Sequence, residues 1–119
     1  PYRYVYSTVP EPGWFLFNGL IKHDLETGNS SSLAFEEGCY ISEPGFAPRI
    51  GSHAEDDGYL VTFVSDMNKD QSECVIVDAQ DMEAGPVARI ILPHRICSGV
   101  HATWANGKYI REAEVRLVA

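Results

Sequence analysis

Residues 58–78 read GYLVTFVSDMNKDQSECVIVD, and this stretch decides the fold. Tyr59 to Ser65 is a continuous apolar run rich in β-branched and aromatic side chains, as expected of a strand covered on both faces. Glu73 to Asp78 is a second such run. Between them Asp66 to Gln71 is polar and short, which predicts a hairpin. Asp66, Asn68 and Asp70 have the spacing that opens a calcium loop. Gln71 stands where that loop needs glycine and Val77 where it needs a bidentate glutamate, so a plain hairpin loop is the better reading.

Outward from this pair, strand-like runs recur and helix signals are nearly absent. Tyr2 to Val9 ends at Pro10-Glu11-Pro12-Gly13. Trp14 to Phe17 and Leu20 to Leu25 flank Asn18-Gly19, a hairpin signal. Ser32 to Glu37, Cys39 to Ile41, Arg89 to Leu92 and Val100 to Trp104 are further runs. Asn106-Gly107 suggests another hairpin into Tyr109 to Val118, although Glu112 to Val118 also reads as helix. Short strands at roughly 8 to 12 residue spacing predict an all-β, antiparallel sandwich, barrel or propeller. With about four strands per propeller blade, residues 1–119 supply roughly two blades. Two blades do not close a ring.

The 119 residues carry a formal net charge of −8, which disfavours phosphate backbones and excludes a nucleic-acid role. No apolar run approaches the roughly 18 residues of a membrane span. Cys39, Cys74 and Cys97 are odd in number and widely spaced, with no C-x-x-C pair, and read as reduced thiols of a cytoplasmic protein. Pro1 begins the chain without a charged-then-apolar leader, and a part of a longer protein is expected. The Glu55 to Asp57 run reads as a solvated turn. Trp14, Phe15, Phe17, Phe63 and Trp104 read as core.

Several motifs agree in order and spacing. They are the acidic turn Glu55-Asp56-Asp57-Gly58, the buried strand, Asp78-Ala79 with Asp81, then Ala84-Gly85-Pro86-Val87-Ala88-Arg89 leading to Leu92-Pro93. The segment ends on Arg95-Ile96 and Gly99-x-His101-Ala102-x-Trp104. Gly19 to Leu25 and Ser42 to Arg49 belong to the same set. Together they resemble the C-terminal part of the carotenoid-cleavage oxygenases, which include lignostilbene dioxygenases and the retinal-pigment-epithelium isomerase. The resemblance implies two blades of a seven-bladed β-propeller in the full-length protein. It further implies a non-haem iron(II) dioxygenase that uses O₂ to cleave a conjugated carbon–carbon double bond of a carotenoid, apocarotenoid or stilbene-like substrate. No organic cofactor is implied.

In that family four histidines hold the metal, and the last lies in the terminal G-x-H motif; residue by residue it corresponds to His101. Neutral imidazole suits iron. Taken alone, His101 reads as an ordinary core histidine. Glu43 matches a glutamate that orients a ligand imidazole from behind, a role suited to a carboxylate; on residue type alone it is a solvated glutamate ahead of a proline. His23, His53 and His94 read as surface residues. A zinc site from His94, Cys97 and His101 lacks a fourth ligand. The resemblance also brings a peripheral membrane contact, through a patch that no residue of this chain marks, and the rest of the propeller as partner. Val100-His101-Ala102 departs from a frequent Phe-His-Gly, and Ile96-Cys97-Ser98 from a frequent Val-Pro-Tyr, changes that bear on tunnel shape and substrate choice more than on metal chemistry. The residues after Trp104 have no assigned role. The alternative reading is a non-catalytic β-sheet fragment or interaction module, because one histidine does not complete a metal site.

Overall fold

The alternation of apolar and polar side chains resolves, in the computed structural model, into two antiparallel sheets; the structure describes residues 1–111. The first sheet has the order β1 (Tyr4–Pro10), β2 (Phe17–Asp24), β3 (Ser30–Ala34). The second is built from β4 (Cys39–Ile41), β5 (Gly45–Pro48), β6 (Gly58–Asp66), β7 (Gln71–Asp78) and β8 (Pro86–Ile91). Strands β4 and β5 both pair with β6 and together form one edge; β7 and β8 follow on the other side. A single 3₁₀ turn, Met82–Ala84, links β7 to β8.

The core lies between the sheets. Leu20 from β2 meets Ile41, Leu60, Val64, Val75 and Val77 from the second sheet, all at most 2% exposed, with Met82 from the 3₁₀ turn. Tyr6 stacks on Phe46 across the gap with ring centroids 5.7 Å apart, a favourable offset geometry for two quadrupolar rings.

Strands β4 and β5 are one strand carrying an insertion. Ile41 pairs with Val64 and Gly45 with Val61, so three residues, 42–44, face two, 62–63. Side chains alternate along a strand, so residues 41 and 46 should point to opposite faces. Both nevertheless pack on the core. The one extra residue is a β-bulge that restores the phase, and Pro44, with no N–H to give to the ladder, fits there.

Several expectations are corrected. Asn18-Gly19 is inside β2 rather than at a turn, and the hairpin loop is 11–16. Gly19 is needed for close approach, because a Cβ there would lie 3.0 Å from the Leu33 carbonyl oxygen. Trp14 to Phe17 therefore does not form a strand; only Phe17 joins β2. Val100 to Trp104 is irregular, and residues 107–111 are helical rather than extended. Asn106 caps that helix, its side-chain oxygen accepting from the Lys108 N–H at 2.9 Å, the usual N-cap chemistry. The remainder of the expected Tyr109 to Val118 strand, and the helical alternative at Glu112 to Val118, lie outside the described residues. Trp14, Phe15, Phe63 and Trp104 are exposed rather than core.

The acidic turn is not simply solvated. Glu55 accepts from the backbone N–H of Arg3 and Tyr4 at 2.8–2.9 Å. Asp56 pairs with Lys22 at 2.7 Å and Asp57 with Arg49 at 2.7 Å. Lys22 points inward from β2 and would otherwise bury its ammonium without a counter-charge, which is costly. The run is a clamp between the sheets. The Asp66 loop, by contrast, is the expected hairpin: the Asp66 carboxylate accepts from the N–H groups of Asn68 and Lys69 at 2.9 and 3.1 Å, an Asx turn.

Candidate metal centre

After β8 the chain doubles back over the face of the second sheet that is turned away from the core. The Leu92 N–H donates to the Ser72 carbonyl at 2.9 Å, and the Ile96 N–H to the Ser72 hydroxyl at 3.1 Å. Further on, the backbone of Thr103 and Trp104 crosses β5 at Gly45, where a Cβ would stand 3.3 Å from the Trp104 nitrogen. Glycine, with no side chain, gives the two backbones room to come this close. The crossing places 99–104 beside the bulge.

The bulge presents Glu43. Its Oε2 accepts from the Ala102 N–H at 2.8 Å and lies 3.2 Å from His101 Nδ1. The N–H of Ala102 and the neighbouring His101 imidazole hold its carboxyl below the ordinary glutamate range. An ionised carboxylate only accepts, so the proton between them belongs to Nδ1. The lone pair of the neutral ring is then left on Nε2, the atom a metal would take. The structure thus brings the two residues singled out in the sequence, His101 and Glu43, into contact across 58 positions of chain.

A cleft of about 210 Å³ opens beside them, lined by Thr8, Phe15, Phe17, Glu43, Val100 and His101. Phe15 and Phe17 pack edge to face with centroids 5.4 Å apart. Phe15 reaches the cleft because the 11–16 loop, not a strand, carries it. Nothing in the sequence marks Thr8, and Phe15 reads there as core, since the register that brings β1 to the bulge is not legible in either strand alone. The wall is apolar except for Thr8 and the Glu43–His101 pair.

The other candidates stand apart. His23 is half-buried in β2, while His53 and His94 are exposed and line no part of this cleft. The three cysteines are free, with Cys39 buried and Cys97 exposed. Among the described residues no group of three or more histidine, cysteine or acidic side chains is placed to hold a metal ion. The donor set fits a metal through one imidazole only, with its orienting carboxylate in place.

The family model described as retinal pigment epithelial membrane protein matches residues 1–106. The apocarotenoid-15,15'-oxygenase of Synechocystis is 38% identical over 108 residues, covering 89% of this chain and 22% of its own length. Lignostilbene-alpha,beta-dioxygenase isozyme III of Sphingomonas paucimobilis is 32% identical over 117 residues, covering 89% and 24%. The crystal structure of the cobalt-substituted Synechocystis apocarotenoid oxygenase superposes with a TM-score of 0.80 at 37% identity, covering 88% of this chain and 22% of that one. The chain thus spans less than a quarter of the length of each of these proteins.

Proposed function

Because the chain belongs to the carotenoid-cleavage oxygenase family, whose model matches residues 1–106, we propose that it supplies two propeller blades and one metal ligand to a larger iron(II)-dependent dioxygenase. The substrate class is a carotenoid, apocarotenoid or stilbene-like molecule, in keeping with the names of the relatives. The proposal rests above all on one observation: the Glu43 carboxylate stands behind His101 Nδ1 at 3.2 Å.

His101 is the proposed iron ligand, through Nε2. Glu43 fixes the ring's tautomer and direction and raises its basicity, as carboxylates do behind metal-bound imidazoles. Bound there, iron would supply activation of O₂. Phe15, Phe17 and Val100 offer an apolar wall along which a conjugated double bond can lie. Three further ligands come from elsewhere in the larger protein. The free cysteines support a reducing compartment, and the cytoplasm is the proposed location.

By itself the chain is proposed to be inactive, since one histidine does not build the site. The test uses the longer protein that contains this chain, with iron measured by inductively coupled plasma and carbonyl products followed by mass spectrometry. Near-stoichiometric iron and cleavage of an apocarotenoid or stilbene are expected, both lost in His101→Ala. Iron retained in full by that variant would overturn the ligand assignment.

A further inference from the structure

We infer that Thr62 and Ser42 are positioning residues for the His101 imidazole, acting through the bulge that carries Glu43. Both side chains are buried, Thr62 at 1% and Ser42 at 6% exposure. Neither lines the cleft.

The bulge breaks the regular ladder opposite Phe63, and side chains take over its hydrogen bonds. The Thr62 hydroxyl donates to the Ser42 carbonyl at 2.7 Å. The Ser42 hydroxyl accepts from the Phe63 N–H at 3.2 Å, a donor that an uninterrupted strand would satisfy with a carbonyl. The Ser42 N–H donates to the Phe63 carbonyl at 2.9 Å. These bonds fix the backbone immediately before Glu43, and Pro44 restricts φ immediately after it. Glu43 is therefore held from both sides at the position from which one oxygen reaches both Ala102 N and His101 Nδ1.

Such a contact is sensitive to small shifts. Hydrogen bonds weaken steeply as distance and angle depart from their optimum, and the His101 contact is already the longer of the two. If valine replaced Thr62, shape would be kept but the donor lost, leaving the Ser42 carbonyl without this buried partner. The strand would have to relax there, and Glu43 is the next residue. A regular β-sheet core would need only an apolar side chain at position 62, flanked on the same face by Leu60 and Val64; a hydroxyl is present where the bulge demands a donor.

As a statement about the imidazole tautomer this stands without any metal; as a statement about metal binding it rests on the function proposed above. The 119-residue chain labelled with ¹⁵N-histidine is read by long-range ¹H–¹⁵N correlation at a pH where the ring is neutral. The Nδ1–H form of His101 should dominate, fall several-fold relative to the Nε2–H form in Thr62→Val, and recover in Thr62→Ser. Amide shifts of Leu60, Val64 and Val75 report whether the core is intact. If Thr62→Val does not fold, Ser42→Ala is read in the same way. A folded Thr62→Val or Ser42→Ala chain with the wild-type tautomer ratio overturns the inference. In the longer protein, cobalt(II) titration should show Thr62→Val binding roughly 10-fold more weakly, the lower end of what loss of an orienting contact costs. An unchanged tautomer together with loss of cobalt in His101→Ala would remove the positioning role and leave the ligand assignment standing; the reverse pattern would do the opposite.

Discussion

Lys22 Nζ lies 2.7 Å from Asp56 Oδ2 and 2.8 Å from the Ala79 carbonyl oxygen, tying the middle of the first sheet to the turn before β6 and the turn after β7. The two charged side chains are only 11% and 15% exposed, so neither partner is well solvated once the other is removed. Asp56→Asn should therefore cost about 2 kcal/mol of folding stability, nearer the value for a lost charged hydrogen bond than for a surface pair. Urea unfolding checks it. A change below about 0.5 kcal/mol would mean that the pair behaves as an exposed one.

Acid should loosen the same clamp. Hydrogen bonds from the Tyr4 and Arg3 amides hold the Glu55 carboxyl low. Burial opposes ionisation of Asp56, but the Lys22 and Gln80 donors outweigh it and the net shift is also downward. Carboxyls with lowered folded values bind fewer protons in the native chain than in the unfolded one, so stability rises with pH across that window. It should be level above about pH 5.5 and fall as pH drops through the ordinary carboxylate range near 4 and below. Thermal unfolding from pH 3 to 7 should show this, with a shallower acid limb in Glu55→Gln.

Much of the second sheet was legible in the sequence because its strands are apolar runs bounded by turn residues; β6 and β7 fall almost where Tyr59 to Ser65 and Glu73 to Asp78 put them. What escaped depends on contacts distant in sequence. Strand β5 hides in Gly45-Phe46-Ala47-Pro48, whose glycine and proline read as breakers until Gly45 is seen beneath Trp104. The acidic turn looked solvated because Lys22 is 34 residues away. His101 and Glu43 were picked out by motif, but motif could not say that they touch, nor that Thr8 and Phe15 share their cleft.

Gly45→Ala tests the crossing at β5. The added methyl would lie 3.3 Å from Trp104 N, so the return segment must give by a few tenths of an ångström while the sheet beneath stays paired. The effect on global stability should be small, about 1 kcal/mol, at the low end of overpacking costs. Hydrogen exchange at the Ala102 amide should accelerate at least several-fold, because its acceptor, Glu43 Oε2, is fixed to the sheet and the amide is fixed to the segment that moves. Unchanged protection at Ala102 would mean that the crossing does not hold the segment.

Glu43→Gln separates charge from shape. The amide oxygen of glutamine can still accept from Ala102 N–H, so the fold around the bulge should hold. A neutral acceptor attracts the Nδ1 proton less than a carboxylate does and makes Nε2 a poorer donor to a metal. In the proposed longer protein, cobalt(II) affinity should fall about 10- to 100-fold, the range expected when such a partner is lost. The sharper expectation is in the double mutant. If Glu43 acts on the metal only through His101, Glu43→Gln should change metal affinity little once His101 is alanine, and a double-mutant cycle should return a coupling as large as the single effect. Additive losses would instead make Glu43 an independent contributor, and its 3.2 Å contact with His101 Nδ1 would then need another explanation than orientation of the ring.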